Sequence, residues 1–371
     1  MKNDNQYLIC AKSVMDNVGD PDIKFGEDGV CDYYKRAADI RDEYVFTNSQ
    51  VVNNLSQLSQ SICGGKRKGD YDCLIGLSGG VDSSYVALIA KRLNMRVLAV
   101  HFDNGWNSEI AVHNIKTIVS YLGCELITYV VNWDEYADLQ RSFFEASVVD
   151  IEMITDNSHK AVSLDIAKKY RIPFILSGGN FRTENMMPKT WSWNKQDILN
   201  IKDIHRKYGK VPLNTYKMIS DMRWQIVTRT RYGPNVLKPL NLINYRKDRA
   251  MENLEQVGWR YYGGKHYESI FTKFYQAYVL PKKFNIDKRK VHLSALILNE
   301  EITRDEALTE LKNDLYPPEQ FEYEYDYVRK KLGYSINSFN RIIGAPPRMH
   351  TEYRSNARII SALKRMYQVI K

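Results

Sequence analysis

Residues 78–83 read Ser-Gly-Gly-Val-Asp-Ser, and few local structures suit that hexapeptide. The run before it, CLIGLS (73–78), is aliphatic and reads as a buried strand. After it, Ser83 to Asn94 places Val86, Ala87, Ile89, Ala90 and Leu93 on one helical face. The motif is therefore the turn between a strand and a helix. Two adjacent glycines let the backbone bend tightly and present successive N–H groups, and the helix start adds its dipole, so the turn is built for a phosphate anion. Ser78 and Ser83 add hydroxyls. Asp82 is an acid where an anion is expected, which is reasonable when a Mg²⁺ ion lies between carboxylate and phosphates. No G-x-G-x-x-G occurs, and the GGK runs at 64–66 and 263–265 lack the spacing of a Walker A loop.

The surrounding pattern fixes the fold class. From about 72 to 180, β-branched runs (73–78, 96–103, 124–131, 173–179) alternate with amphipathic stretches such as Ile110 to Leu122. This alternation predicts an α/β fold with a doubly wound parallel sheet. Residues 1–65 form a small N-terminal module with a helix, 66–245 the sheet domain, and 246–371 a helical C-terminal region with helices near 246–257, 267–279, 287–298, 303–313, 317–332 and 335–343. At 371 residues and 44% hydrophobic composition the chain has ample material for a core. No apolar run is long enough for a bilayer span and the amino terminus lacks a secretory h-region, so a cytoplasmic location is expected.

SGGVDS resembles the pyrophosphate-binding loop of the adenine nucleotide α-hydrolase-like ATP pyrophosphatases, a group that includes GMP, NAD and asparagine synthetases and several tRNA-modifying enzymes. The resemblance implies ATP cleavage between the α- and β-phosphates, with Ser78, Gly79, Gly80, Asp82 and Ser83 around the pyrophosphate and Mg²⁺ on Asp82. It also implies that the end of the second strand, at His101 and Asp103, helps hold the adenosine. Gly178, Gly179 and Asn180 end another strand, where open α/β sheets bind ligands.

A broader resemblance rests on DPDIKFGEDGVC (20–31), LSGGNFRTENMMPKTWSW (176–193) and the long block from Gly258 to Ile297. These are similar to the N-acetyl sugar amidotransferases of bacterial surface-polysaccharide and flagellin-glycan biosynthesis. That family implies conversion of an N-acetyl group on a sugar or nucleotide sugar to an acetamidino group, with ammonia from a glutaminase partner and a cyclase-like partner that channels it. Lys265 and Arg289 then become candidates to neutralise phosphate, and His266 to relay protons. The family's two N-terminal C-x-x-C pairs read here as Cys10-x-x-Ser13 and Cys31-x-x-Tyr34, so no zinc is expected; packing around Val14, Ile23, Phe25, Val30 and Tyr33 should hold the module instead. Cys63, Cys73 and Cys124 lack the surroundings of a glutaminase nucleophile.

The alternative is a tRNA-modifying ATP pyrophosphatase, suggested by the formal charge of +9 and by Trp191, Trp193, Trp224 and Tyr232 among basic residues. The charge is uneven, however. Residues 201–292 hold 20 of the 53 Lys and Arg but 7 of the 44 Asp and Glu. An excess concentrated there, facing the ATP loop, suits a small anionic substrate better than nucleic acid.

Overall fold

The computed structural model describes residues 6–64, 69–229, 233–264 and 267–357. Lys265, His266 and Tyr232 lie outside the described residues.

Five parallel strands, β1 (Cys73–Gly76), β2 (Val97–Asp103), β3 (Glu125–Val130), β4 (Phe174–Leu176) and β5 (Asn235–Leu237), are ordered β3-β2-β1-β4-β5. Leu74 stands opposite both Leu98 and Ile175, so β1 is central. The chain winds outward in one direction through β2 and β3 and in the other through β4 and β5. The reversal falls between β1 and β4, the place where such sheets open a crevice at their carboxyl ends. β1 and β2 are buried along nearly their whole length, as strands covered on both faces must be.

Helices α1 (Asp32–Arg41) and α2 (Asn48–Cys63) precede the sheet; α2 starts in a capping box in which Thr47 and Gln50 satisfy each other's backbone N–H groups. α3 (Val81–Arg92) and α4 (Glu109–Leu122) cover one face, with Leu58, Val86, Ile115, Ile118 and Trp259 in one apolar cluster. α5 (Trp133–Ala146) and α6 (Met153–Lys169) cover the other, where a larger cluster runs from Leu74 and Val100 through Phe143, Ile154 and Val162.

Among the described residues, the elements that follow β4 are helical apart from β5: α7 (Phe181–Glu184), α8 (Ile198–Tyr208), α9 (Asp221–Arg229), α10 (Lys247–Glu255), α11 (Ile270–Phe274), a π turn over Tyr275–Val279, α12 (Leu280–Phe284), α13 (Arg289–Leu298), α14 (Arg304–Glu310), α15 (Pro318–Lys331) and α16 (Ile336–Gly344). This region is not a separate bead. Phe271 packs on Trp106 (5.3 Å between ring centroids) and Phe339 on Phe144 (5.7 Å), which joins the carboxyl-terminal helices to the sheet core.

In the N-terminal module Val14, Ile23, Val30 and Tyr33 are buried and Phe25 is partly buried against the main core. Tyr33 donates to Asp20 (2.6 Å), Thr190 donates to the same carboxylate (2.7 Å), and Lys290 pairs with Asp16. The module is thereby clamped between the 188–191 turn and α13. Cys10 and Cys31 are buried free thiols, and the Cys31 N–H donates to the Cys10 sulfur (3.2 Å). Their mutual contact draws the Cys10 thiol down and pushes Cys31 up. Ser13 lies 3.9 Å from the Cys31 sulfur and Tyr34 offers it only an N–H, so a tetrahedral zinc would have two thiolates and no further good donor. Among the described residues no group of three or more His, Cys, Asp or Glu side chains is placed to hold a metal ion.

Candidate active site

A cavity of about 150 Å³ opens at the carboxyl end of β1, lined by Ser78, Gly80, Val81, Asp82, Ser83 and Gly178 together with Thr183, Lys247, Tyr262, Glu268 and His292. Its floor is the strand-to-helix turn. Gly79 adopts φ +82°, and a Cβ there would lie 2.6 Å from the Ala111 carbonyl oxygen, so no other residue fits without moving α4. Gly80 forms the N-cap of α3 and brings no side-chain cap of its own. The first-turn amides are thus available to an incoming anion or to nearby hydroxyls. Here the Gly80 N–H donates to Ser78 Oγ (3.2 Å) and the Val81 N–H to Tyr262 Oη (3.2 Å), while Ser83 Oγ donates to the Gly80 carbonyl (3.3 Å). The hydroxyls of Ser78 and Ser83 lie 3.3 Å apart.

The opposite wall is the end of β4. A Cβ on Gly178 would stand 3.1 Å from the backbone and Cβ of Asp82, so this glycine lets the β4 turn close over the first turn of α3. Asn180 is buried and caps α7, accepting from the Thr183 N–H (2.9 Å), and a Cβ on Gly179 would meet Ser177 Oγ (3.5 Å) and Glu184 Oε2 (3.6 Å). Of the three, Gly178 alone lines the cavity.

Asp82 is held by the buried phenol of Tyr245, which donates to Oδ1. Burial, then the Asp82 charge, pushes the Tyr245 hydroxyl far above its ordinary value, and burial followed by the Glu268 charge does the same for Tyr262. Both phenols therefore stay neutral. Behind the turn, the Gly79 carbonyl accepts from Asn114 Nδ2 (3.2 Å) and Trp259 Nε1 (3.0 Å). Asn114 also exchanges two 2.8 Å bonds with the backbone of Arg260. The segment 259–262 is fastened over the turn by these contacts, and it continues to Glu268, whose carboxylate lies 3.1 Å from the Cβ position of Gly80.

The structure places three further sequence candidates outside the cavity. His101 is buried, with Nδ1 2.8 Å from the Leu77 carbonyl and Nε2 3.0 Å from Asn107, so it braces the turn from behind. Asp103 accepts from the Gly105 N–H (2.8 Å) and Asn107 (3.0 Å) in the loop after β2. Arg289 is bound by Asp287 and by the carbonyls of Glu310, Leu311 and Asn313, which fixes it at the foot of α13 instead of on a phosphate. Nor does the positive stretch form one patch over the site. Lys273 pairs with Glu324, Lys288 with Glu152, Lys290 with Asp16, and Lys217 and Arg223 with Asp165. Lys247 is the described cation that reaches the cavity lining.

Two family models match the chain. Residues 72–170 match that of the queuosine biosynthesis protein QueC, and residues 268–368 that of the C-terminal domain of LPS biosynthesis protein WbpG-like proteins. The chain joins a QueC-like pyrophosphate-loop domain to a WbpG-like C-terminal domain. Solved structures that resemble it include an NMN synthetase from Francisella tularensis (13% identity, TM-score 0.40, 79% of this chain and 98% of that one) and an NH3-dependent NAD synthetase from Campylobacter jejuni (15%, 0.34, 81% and 97%). A third is the U34-tRNA thiolase NcsA from Methanococcus maripaludis (14%, 0.32, 69% and 82%). No curated protein matches. The cavity spans both matched segments: the QueC-like part supplies the turn 78–83, and the WbpG-like domain supplies Glu268 and His292.

No signal in the sequence marked Tyr245, Asn114, Trp259 or Tyr262. Only the Gly258–Ile297 block, idiosyncratic in composition, pointed toward that part of the chain.

Proposed function

We propose that this protein is the synthetase component of an ATP-dependent amidotransferase that converts the N-acetyl group of a sugar or nucleotide sugar to an acetamidino group. The observation that carries the reading is a phosphate-binding turn whose cavity is completed by residues of a WbpG-like domain. An amide is a poor electrophile, so its oxygen must first become a leaving group. The acceptor carbonyl oxygen attacks the α-phosphate of ATP, the bond between the α- and β-phosphates breaks, and pyrophosphate departs. Ammonia then adds to the imidate carbon and, after loss of a proton, AMP leaves with the original oxygen, giving the amidine, AMP and pyrophosphate.

The chain's own groups fit the first half of that sequence. The α3 amino terminus, Ser78 and Ser83 offer donors to pyrophosphate, and Gly178 allows close approach. Asp82, oriented by Tyr245, is the residue that would hold Mg²⁺, which when bound offsets the charge of the phosphates. Glu268 and His292 line the same cavity and are the groups proposed to carry protons in the second half. The ammonia comes from a separate glutaminase and reaches the synthetase through a cyclase-like partner. In support, Cys73 is fully buried in β1, and burial raises the thiols of Cys73 and Cys124, the opposite of what a nucleophile needs. Trp191 is buried and Trp193 stacks on His350 (5.0 Å between ring centroids), which speaks against their serving as a platform for RNA bases.

The test supplies ATP, Mg²⁺ and ammonium with a panel of N-acetylated nucleotide sugars or with bulk tRNA. AMP release with a sugar, together with the mass change for replacing a carbonyl oxygen by NH, supports the reading. AMP release with tRNA alone refutes it.

A further inference from the structure

Tyr262 falls between the two segments that match family models, yet it lines the cavity. Its ring packs edge-on against Trp259 (5.6 Å between ring centroids) and is partly buried on the apolar cluster that holds Val81 and Val86. Two bonds tie this stretch of chain to the phosphate turn. Trp259 donates to the Gly79 carbonyl, and Asn114, which donates to the same carbonyl, also accepts from the Arg260 N–H (2.8 Å). The phenol is thereby held in register with the turn that presents its amides to phosphate.

In that register the Tyr262 oxygen accepts the Val81 N–H at 3.2 Å. Val81 opens α3, so this amide belongs to the first turn and has no acceptor within its own helix. The phenol oxygen stands where an oxygen of a bound anion would stand. The bond uses a lone pair and leaves the O–H proton over. Among the described residues Val81 is the hydrogen-bond partner of this hydroxyl, and no side chain or carbonyl takes its proton. Burial, and after it the Glu268 charge, hold the phenol far above its ordinary value, so the proton stays on the oxygen at any working pH.

A neutral donor fixed beside the amino terminus of α3 meets a specific need of the reaction. As the bond from the α-phosphorus to the bridging oxygen breaks, its electron pair remains on that oxygen and the departing pyrophosphate gains a charge. A donor already in place meets the charge without reorganisation. When phosphate takes the Val81 amide, the phenol oxygen is released from it, and rotation about the C–O bond turns the proton toward the phosphate.

We propose that Tyr262 is a catalytic residue of this site, whose hydroxyl donates a hydrogen bond to pyrophosphate as it leaves and keeps its proton throughout. This rests on the release of pyrophosphate in the reaction proposed above, and not on which acceptor is activated. The test compares the full chain with Tyr262→Phe, which keeps the ring and its packing, with folding checked by thermal melting. Calorimetric titration with inorganic pyrophosphate and Mg²⁺ should give a Kd at least about tenfold weaker in the variant, while the Kd of AMP changes by less than about twofold. A pyrophosphate Kd equal to wild type overturns the proposal, and so does a tighter one, which would make the phenol only an occupant of the Val81 amide. A parallel loss of AMP affinity, the mark of a loosened site, overturns it as well. No acceptor enters these titrations. Pyrophosphate binding as expected, with no N-acetylated sugar turned over, upholds Tyr262 and refutes the sugar as acceptor, whereas sugar turnover with unchanged pyrophosphate binding in Tyr262→Phe does the reverse.

Discussion

Gly79 carries the greatest constraint of any single residue in the site. Gly79→Ala must strain a backbone at φ +82° and push α4 away from a 2.6 Å contact. We expect a loss of about 1–3 kcal/mol or more in stability, read from denaturant melts, and no measurable AMP release. Asp82→Asn should behave differently. The amide oxygen can still accept from Tyr245, so the melting temperature should stay close to wild type, while AMP formation falls by about 100-fold with the carboxylate charge gone. Tyr245→Phe leaves that charge but releases its orientation; a loss of about tenfold is expected. If Asp82→Asn retains full activity, the carboxylate has no part in the chemistry.

At the scale of elements, the phosphate turn depends on a segment almost 180 residues further along the chain. Asn114 on α4 bonds both the Gly79 carbonyl and the backbone of Arg260, and Trp259 supplies a second donor to the same carbonyl. Asn114→Ala leaves the N–H and C=O of Arg260 without this partner. It should cost about 1–3 kcal/mol, and it should weaken ATP binding through a turn no longer braced from behind. An ATP Kd equal to wild type would show that the 259–262 segment is cover alone. The strands followed the apolar runs in the sequence closely, except that β4 ends at Leu176 and frees 177–180 as a turn. β5 was missed because three residues, Asn235–Leu237, carry too little pattern to register.

For the whole molecule, the aromatic contacts of Phe271 and Phe339 with Trp106 and Phe144 make the C-terminal helices part of the core. A chain ending at residue 267 should therefore fail to reach a native state, and its near-UV circular dichroism should be lost. Stability should also depend on pH. His159 and His350 are held below the ordinary histidine value of 6.5, in both cases chiefly by burial. As pH falls below about 6.5 the unfolded chain takes up protons that the native state resists, so stability is full above that pH and declines beneath it. Melting temperatures between pH 7.5 and 5.5 should fall with acidity, less steeply in His350→Gln. A flat profile would contradict the buried, neutral state of these rings.

Local pattern sufficed for the strand, turn and helix around residues 78–83, because two glycines, a helix start and a buried strand are neighbours in the chain and their physics is local. The parallel sheet and the helical C-terminal region followed from periodicity in the same way. Gly178 was legible at its strand end, but the rest of the site is assembled from distant parts: Lys247, Tyr262 and His292 meet the turn through long-range packing that no spacing encodes. The same holds for sequence candidates that the structure places outside the cavity. His101, Asp103 and Arg289 have reactive side chains, and the fold gives each of them protein partners outside the cavity: the Leu77 carbonyl, Asn107, and Asp287 with the end of α14. A side chain's type is written in the sequence, whereas whether it meets a ligand or a neighbouring carbonyl depends on which surfaces the core brings together.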